Sequence, residues 1–492
     1  VAGLLGSGSP SPADLKTSFG SLAGRIIFRV HSLLGSESPN MSFPDDFLWG
    51  AAAAAYQIEG AAFEGGRGRS VWDDYCDTPG MVEQGHTGAI ACDHYHRYPE
   101  DIAIMKSMGL HAYRLSISWP RVLPDGRGAV NETGLDFYDR LIDEIVAAGI
   151  TPYVTLFHWD FPSSLFAEGG WLNRDSAEWF AEFTTLMVRR LGDRVTNWIT
   201  LNEPQVYIQH GHRDGGHAPG LKLPLREQLL AAHNTMRAHG KSVQAIRAAM
   251  PCPAAVGYTG VGCAACPMDL DPATIEAARR ATNGVDASNH FNNTWWFDPV
   301  CLGRYPEEGL EAFGADVPDF PDSDLTEINQ TIEFLGLNIY QGGRIRMGED
   351  GVPVEVPHGI GHPITSFDWP VVPEALRWGP FFAHERYGLP IYITENGLAS
   401  MDWISRDGKV HDANRIDFTA RYLEQLRLAI ADGVDVRGYF HWSILDNFEW
   451  AKGYTKRFGL VYVDYATGAR TVKDSGEWYA EVIRTNGASI GG

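Results

Sequence analysis

The chain has 492 residues, enough for a large core built either as one barrel of α/β units or as two ordinary domains. Sixty-two acidic against 40 basic side chains give a formal charge of −22, which repels phosphate backbones and anionic bilayers and argues against nucleic-acid or membrane partners. Six scattered cysteines exclude a disulfide scaffold, and no run approaches the roughly 18 apolar residues of a membrane-spanning helix.

In chain order, the first forty residues are rich in Ser, Gly and Pro, and their most apolar part is broken by Arg25, Arg29 and His31. That pattern suits a signal peptide poorly, so a cytoplasmic location is expected. Residues 1–40 are expected to be an extension, disordered or of cloning or upstream-reading-frame origin, with the working domain running from Met41 to residue 485. Deleting the extension should leave activity intact.

Beyond Met41 an alternation recurs. "FLWGAAAAAYQIEG" (47–60) reads as a first strand, and "RYPEDIAIMKSMG" precedes "LHAYRLSISWP" as helix before strand. Tyr138, Leu141, Ile142, Ile145 and Val146 form one apolar helical stripe, closed by Gly149. "TPYVTLFHWD" (151–160) follows, apolar and β-branched as a strand covered on both faces must be. A helical stretch from Asp175 to Leu191 leads into "RVTNWITLNEP". "AAVGYTG" (254–260), "EFLGLNIY" (333–340) and "LPIYITENG" (389–397) are further strands, and a helix from Arg415 to Ala431 leads into "VRGYFHWS". Eight strands, most preceded by helices, predict the α/β class and a single (β/α)8 TIM barrel with elaborated βα loops. An open doubly wound sheet is the alternative, but no Gly-rich dinucleotide fingerprint follows any strand. Cys263-Ala-Ala-Cys266 has the spacing of half a zinc ribbon without the other half, so neither metal nor cofactor is expected.

Barrel enzymes carry reactive groups at the carboxyl ends of their strands. Here those ends offer Gln57 and Glu59, Arg114 and Trp119, His158, Trp159 and Asp160, Asn202 and Glu203, Asn338 and Tyr340, and Glu395 and Asn396. Trp442 follows on the last strand, with Asp446, Asn447, Glu449 and Trp450 in the loop after it. Glu203 in "TLNEP" and Glu395 in "YITENG" each end an apolar run, where a carboxylate is costly unless paired, hydrogen-bonded or protonated. Singly, either one serves equally well as a helix cap or an arginine's partner. Together, among amides and indoles, they point to shared chemistry. Two carboxyls with flat aromatic faces are the means of glycoside hydrolysis, in which one protonates the leaving oxygen and the other attacks or stabilises the oxocarbenium-like centre.

"FLWGAAAAAYQIEG", "YRLSISWPRVLP", "TLFHWDFP", "TLNEP", "LGLNIY", "YITENG" and "HWSILDNFEWAKGYTKRFGLVYVDY" resemble, in order from about Phe43 to Trp478, the successive signatures of glycoside hydrolase family 1, the β-glucosidase family. The resemblance implies that Glu203 is the general acid/base and Glu395 the nucleophile. It further implies that Asn202 binds the sugar 2-hydroxyl, that Arg114 and Tyr340 lie against Glu395, and that Asn338 positions this cluster. By the same resemblance Gln57, His158, Glu449 and Trp450 bind sugar hydroxyls, Trp442 is the platform beneath the sugar ring, and Trp369 is a wall for the leaving group. Trp171 either lines the entrance or packs in the core. Glu203 should have its pKa raised by burial and by the charge of Glu395, while Glu395 should stay ionised. Glu449 would meet a sugar phosphate with negative charge, so an unphosphorylated glycoside is favoured.

The implied activity is that of a retaining, exo-acting β-glucosidase releasing glucose from small β-glycosides without metal or cofactor. Retention requires carboxyls roughly 5–5.5 Å apart, inversion roughly 6.5–9.5 Å. A β-galactosidase, β-fucosidase or transglycosylase keeps the same machinery, and an inactive carbohydrate-binding barrel is the rival from another class. The natural aglycone and the oligomeric state stay open.

Overall fold

The computed structural model describes residues 42–286 and 290–491; the expected extension over 1–40 and its boundary at Met41 lie outside the described residues. Every apolar run read as a strand becomes one: β1 Leu48–Ala52, β2 Ala112–Ser116, β3 Thr151–Phe157, β4 Asn197–Asn202, β5 Ala255–Val261, β6 Phe334–Asn338, β7 Ile391–Asn396 and β8 Val436–Trp442. They pair in parallel with their neighbours in chain order, and β8 returns to β1 to close a barrel. The open-sheet alternative is thereby overturned. The first strand is shorter than its run of small residues suggests, because the chain turns into a short helix at Ala55–Ile58. Ala54 caps that helix without a side-chain hydrogen bond, and the Ala55 N–H donates instead to Ser116 Oγ at 2.7 Å.

The outer layer contains α1 His94–Ser107, α2 Glu132–Ala147, α3 Ser176–Leu191, α4 Leu225–Ala249, α5 Thr294–Leu302, α6 Ala375–Tyr387, α7 Ala413–Ala431 and α8 Asp474–Arg484. The stripe Tyr138, Leu141, Ile142 and Ile145 is buried as its spacing requires, whereas Val146 is 44% exposed at the edge of that face. Side chains alternate along each strand: Tyr439 joins the large core between barrel and helices, while Phe440 and Trp442 join a smaller cluster with Tyr153, Ile199 and Phe334 that fills the barrel interior. The closed floor leaves only the carboxyl ends open for chemistry. The loops there are elaborated: Ala265–Pro267, Gly343–Met347 and Pro353–Glu355 form a small separate sheet after β5 and β6.

Candidate active site

Register brings the motif residues onto one rim. Ala52 pairs with both Arg114 and Trp442, Glu395 pairs with Asn338, and Asn202 pairs with Thr259. Pairing shifts between Ile199 and Asn202, and again between Ile393 and Glu395. Such irregularities bend a strand and re-aim its side chains, and both fall directly before the carboxylates. Gly397 completes the turn after Glu395: a Cβ there would stand 1.8 Å from the Trp442 carbonyl oxygen, so only glycine lets β7 and β8 approach this closely.

Glu203 leaves β4 in the left-handed region, with φ 47° and ψ 61°. Pro204 disfavours the right-handed helical region for the residue before it, and the Glu203 N–H is tied to the Thr259 carbonyl at 2.9 Å. The left-handed backbone costs roughly 1–2 kcal/mol. Trp159 (φ 81°) and Trp450 (φ 49°) share that conformation and line the same cavity. Strained backbone collects where side chains must face a ligand.

That cavity, of about 840 Å³, is lined by Glu203, Glu395, Asn338, Tyr340, His158, Trp442, Glu449, Trp450 and Trp369 among others. Arg114, 1% exposed, donates from Nη1 to Glu395 Oε1 at 2.6 Å and from Nη2 to Asn202 Oδ1 at 2.5 Å. Tyr340 OH donates to Glu395 Oε2 at 2.7 Å. Asn338 Nδ2 donates to Asn202 Oδ1 at 3.1 Å, and Thr394 Oγ1 donates to Asn338 Oδ1 at 2.6 Å. Because Asn202 Oδ1 already accepts two hydrogen bonds, its amide nitrogen must be the donor to His158 Nε2, 3.1 Å away. His158 is therefore neutral with its proton on Nδ1, in accord with burial and the nearby Arg114 charge, which hold its pKa well below the usual value.

Opposite surroundings separate the two glutamates. Burial, then the negative charge of Glu395, push Glu203 up to about 8, against the pull of the Asn338 hydrogen bond and Arg114. Burial also raises Glu395, but its arginine, its tyrosine hydroxyl and Asn338 all favour the carboxylate. The cost of desolvation expected for a carboxylate ending an apolar run is what these partners oppose. At neutral pH one proton therefore belongs on Glu203 and the charge on Glu395. Burial and Glu395 push Glu449 up to about 8 as well.

Behind Glu449, Gln57 Nε2 donates to Asn447 Oδ1 (3.0 Å) and the Phe448 carbonyl (2.9 Å), and reaches Glu449 Oε2 at 3.4 Å. Its Oε1 is buried without a protein partner, an acceptor that a ligand hydroxyl would satisfy. Trp442 lies nearly parallel to His158, with centroids 5.9 Å apart. Trp450 packs against Trp159 and Trp72, each at 4.6 Å, and also lines the cavity. Trp369 stacks on Phe367 at 4.6 Å and packs against Tyr340 at 5.4 Å on the cavity wall.

Trp171 is not at the entrance. It is 3% exposed, packed among Phe157, Phe161, Phe180 and Tyr207, where burial of a large indole is favourable. Sequence reasoning missed His210, His217, Glu355, His358, Phe367 and Phe458, which line the outer cavity. They sit on segments inserted after the barrel strands, where no barrel-strand end marks them in the sequence. Among the described residues no group of three or more His, Cys, Asp or Glu could hold a metal ion, and no helix is long and apolar enough to cross a membrane.

Comparison with known proteins agrees with this geometry. Residues 39–488 match the model of Glycosyl hydrolase family 1. The chain is 46% identical over 451 residues to "Beta-glucosidase A" of Thermotoga maritima, covering 90% of this chain and 98% of that protein. It is also 46% identical to a "1,4-beta-D-glucan glucohydrolase" of Thermotoga neapolitana, covering 90% and 99%. A solved structure of the Thermotoga maritima β-glucosidase in complex with glucoimidazole superposes with a TM-score of 0.83 at 45% identity, covering 91% of this chain and all of that one. The chain belongs to glycosyl hydrolase family 1.

Proposed function

We propose that the protein is a retaining, exo-acting β-glucosidase that removes terminal β-D-glucosyl residues from small glucosides and short glucans. The observation that carries this reading is the pairing of a protonated Glu203 with an arginine-bound Glu395 on one cavity. Glu395 attacks the anomeric carbon as Glu203 passes its proton to the departing oxygen, giving a covalent glycosyl-enzyme. Esterified, Glu395 no longer carries the charge that helped raise Glu203. Glu203 then gives up a proton more readily and can serve as base towards the incoming water. In the same reading His158, Gln57, Asn202 and Glu449 hold the sugar hydroxyls over Trp442, and Trp369 faces the leaving group. The names of the relatives support glucosides as substrates.

Of the alternatives, a 6-phosphorylated substrate is disfavoured by the Glu449 carboxyl and by Lys452, whose ammonium pairs with Glu83 at 2.6 Å rather than standing free. Six unpaired thiols fit a reducing, cytoplasmic compartment. The test is hydrolysis of aryl β-glucoside, β-galactoside and β-fucoside, with the first-formed anomer read by NMR. β-Glucose as first product and the highest kcat/KM on the glucoside are expected; α-glucose as first product would overturn the mechanism.

A further inference from the structure

The loop that follows β8 carries Glu449 and Trp450, and its anchor lies three residues earlier. Asp446 is fully buried. Its carboxylate accepts from Lys473 Nζ at 2.7 Å, Arg457 Nη1 at 2.6 Å and the Gly459 N–H at 2.9 Å, and its carbonyl accepts from Cys92 Sγ at 3.0 Å. Lys473, also fully buried, bridges to Asp402 at 2.5 Å. Asp402 in turn accepts from Arg415, which binds Asp412 at 2.8 Å and the Leu398 carbonyl. Asp412 accepts from the Ser475 N–H (2.9 Å) and Oγ (2.6 Å) at the start of α8. The cluster balances three cations, Arg415, Arg457 and Lys473, against three anions, Asp402, Asp412 and Asp446.

Ions buried this deeply each cost several kcal/mol in lost hydration, so apolar packing would stabilise the region at least as well. What ions add is direction. Between the anchor and Glu449 the chain has no slack. Asn447 Nδ2 donates to Ser443 Oγ at 3.0 Å, the Phe448 N–H donates to the Gln57 carbonyl at 3.1 Å, and Gln57 Nε2 holds both Asn447 and Phe448. We propose that Lys473, together with Asp402 and Arg415, is a positioning residue for Glu449: the buried ion cluster fixes where that carboxyl meets the sugar and so sets selectivity for substrates bearing the hydroxyl it accepts. Lys473 touches no substrate. The inference rests on the reading that Glu449 binds the 4- and 6-hydroxyls.

The experiment compares aryl β-D-glucoside with aryl 6-deoxy-β-D-glucoside, measuring kcat and KM for the wild type, Lys473→Met, Lys473→Arg and the double variant Lys473→Met/Asp446→Asn, which keeps the cluster balanced at two cations and two anions and leaves Asp402 with Arg415. Asp298→Asn serves as the control, since it weakens the pairing of buried Asp298 with the partly exposed Arg386 in the outer helices. Lys473→Met should raise KM for the glucoside about tenfold, the scale of one or two misplaced hydrogen bonds, with a smaller change in kcat and a smaller rise for the 6-deoxy substrate, which keeps only the 4-hydroxyl contact. The preference for glucoside then shrinks, Lys473→Arg restores most of it, and Asp298→Asn lowers Tm without moving it. A folded Lys473→Met that keeps the wild-type preference overturns the proposal; should it not fold, the double variant is read the same way. A wild type with no preference between the two substrates overturns the role given to Glu449, and this inference with it.

Discussion

The inner and outer halves of the cavity are built differently. In the inner half Arg114 sits within a strand and Asn202, Asn338 and Glu395 sit at or near strand ends, all nearly fully buried, and each is held by at least two polar contacts from other strands or the residues directly after them. In the outer half His210, Glu355, His358 and Trp369 ride on segments inserted after the barrel strands, and they are held mainly by ring contacts and near neighbours: His210 by Asp214, His358 by His362, Trp369 by Phe367 and Tyr340. A barrel rim fixes side chains through strand register, which is expensive to alter. A loop can exchange its residues without disturbing that register. Chemistry therefore belongs to the inner half and leaving-group preference to the outer, and substitutions in the two halves should differ in size and in kind.

The largest effect is expected from Glu395→Ala, which removes the attacking atom. Turnover should fall by at least ~10⁴-fold, as for other essential nucleophiles, and azide should restore part of it. A variant with near-normal rates on glucosides would remove the assignment altogether.

Next comes Glu203→Ala. General acid catalysis contributes ~10²–10⁴-fold, so substrates with poor leaving groups should lose that much while activated aryl glucosides lose far less. The pH profile gives an independent check. Glu203 acts as acid only while protonated, and its pKa stands near 8, so kcat/KM should fall as pH rises through about 8. That limb should vanish in the variant, and equal losses on both substrate types would refute the division of roles.

Tyr340→Phe is a smaller change within the inner half. It deletes the 2.7 Å hydrogen bond to Glu395 Oε2, worth about 1.5–3 kcal/mol for a charged acceptor, so kcat/KM should drop by about one to two powers of ten. That bond favours the carboxylate, so its loss raises the pKa of Glu395 and moves the acid limb of the profile to higher pH. An unmoved limb would show that the tyrosine does not tune the nucleophile.

In the outer half, Trp369→Ala should cost only ~0.5–1.5 kcal/mol of aromatic contact. It should appear as a several-fold rise in KM for aryl glucosides, with kcat for the shared deglycosylation step intact. A loss as large as that of Tyr340→Phe would erase the distinction between the two halves.

The same contrast explains what could be read in advance. Glu203, Glu395, Asn338 and Trp442 close apolar runs whose strand character is plain, and Arg114 lies within one, so their common placement follows once the barrel closes. Trp171 follows a similar aromatic context, yet it turns inward on the short segment Gly170–Leu172 to join Phe157 and Tyr207; residue type alone does not separate a wall from a core indole. Lys473 and Asp402 carry no signal in the sequence: nothing near them announces that the two side chains pair out of solvent close to Asp446.

What the sequence determined by itself was local and periodic: eight apolar strands, the helical stripes between them, and the polar residues at their ends, because alternation and 3.6-residue spacing are written in neighbouring positions. Tertiary structure alone decided which groups share a proton, which indoles meet the cavity and which charges neutralise one another. Those outcomes depend on desolvation and on distances between residues far apart in the chain, such as Glu203 beside Glu395 or Lys473 between Asp402 and Asp446, and neither quantity exists until the barrel has closed.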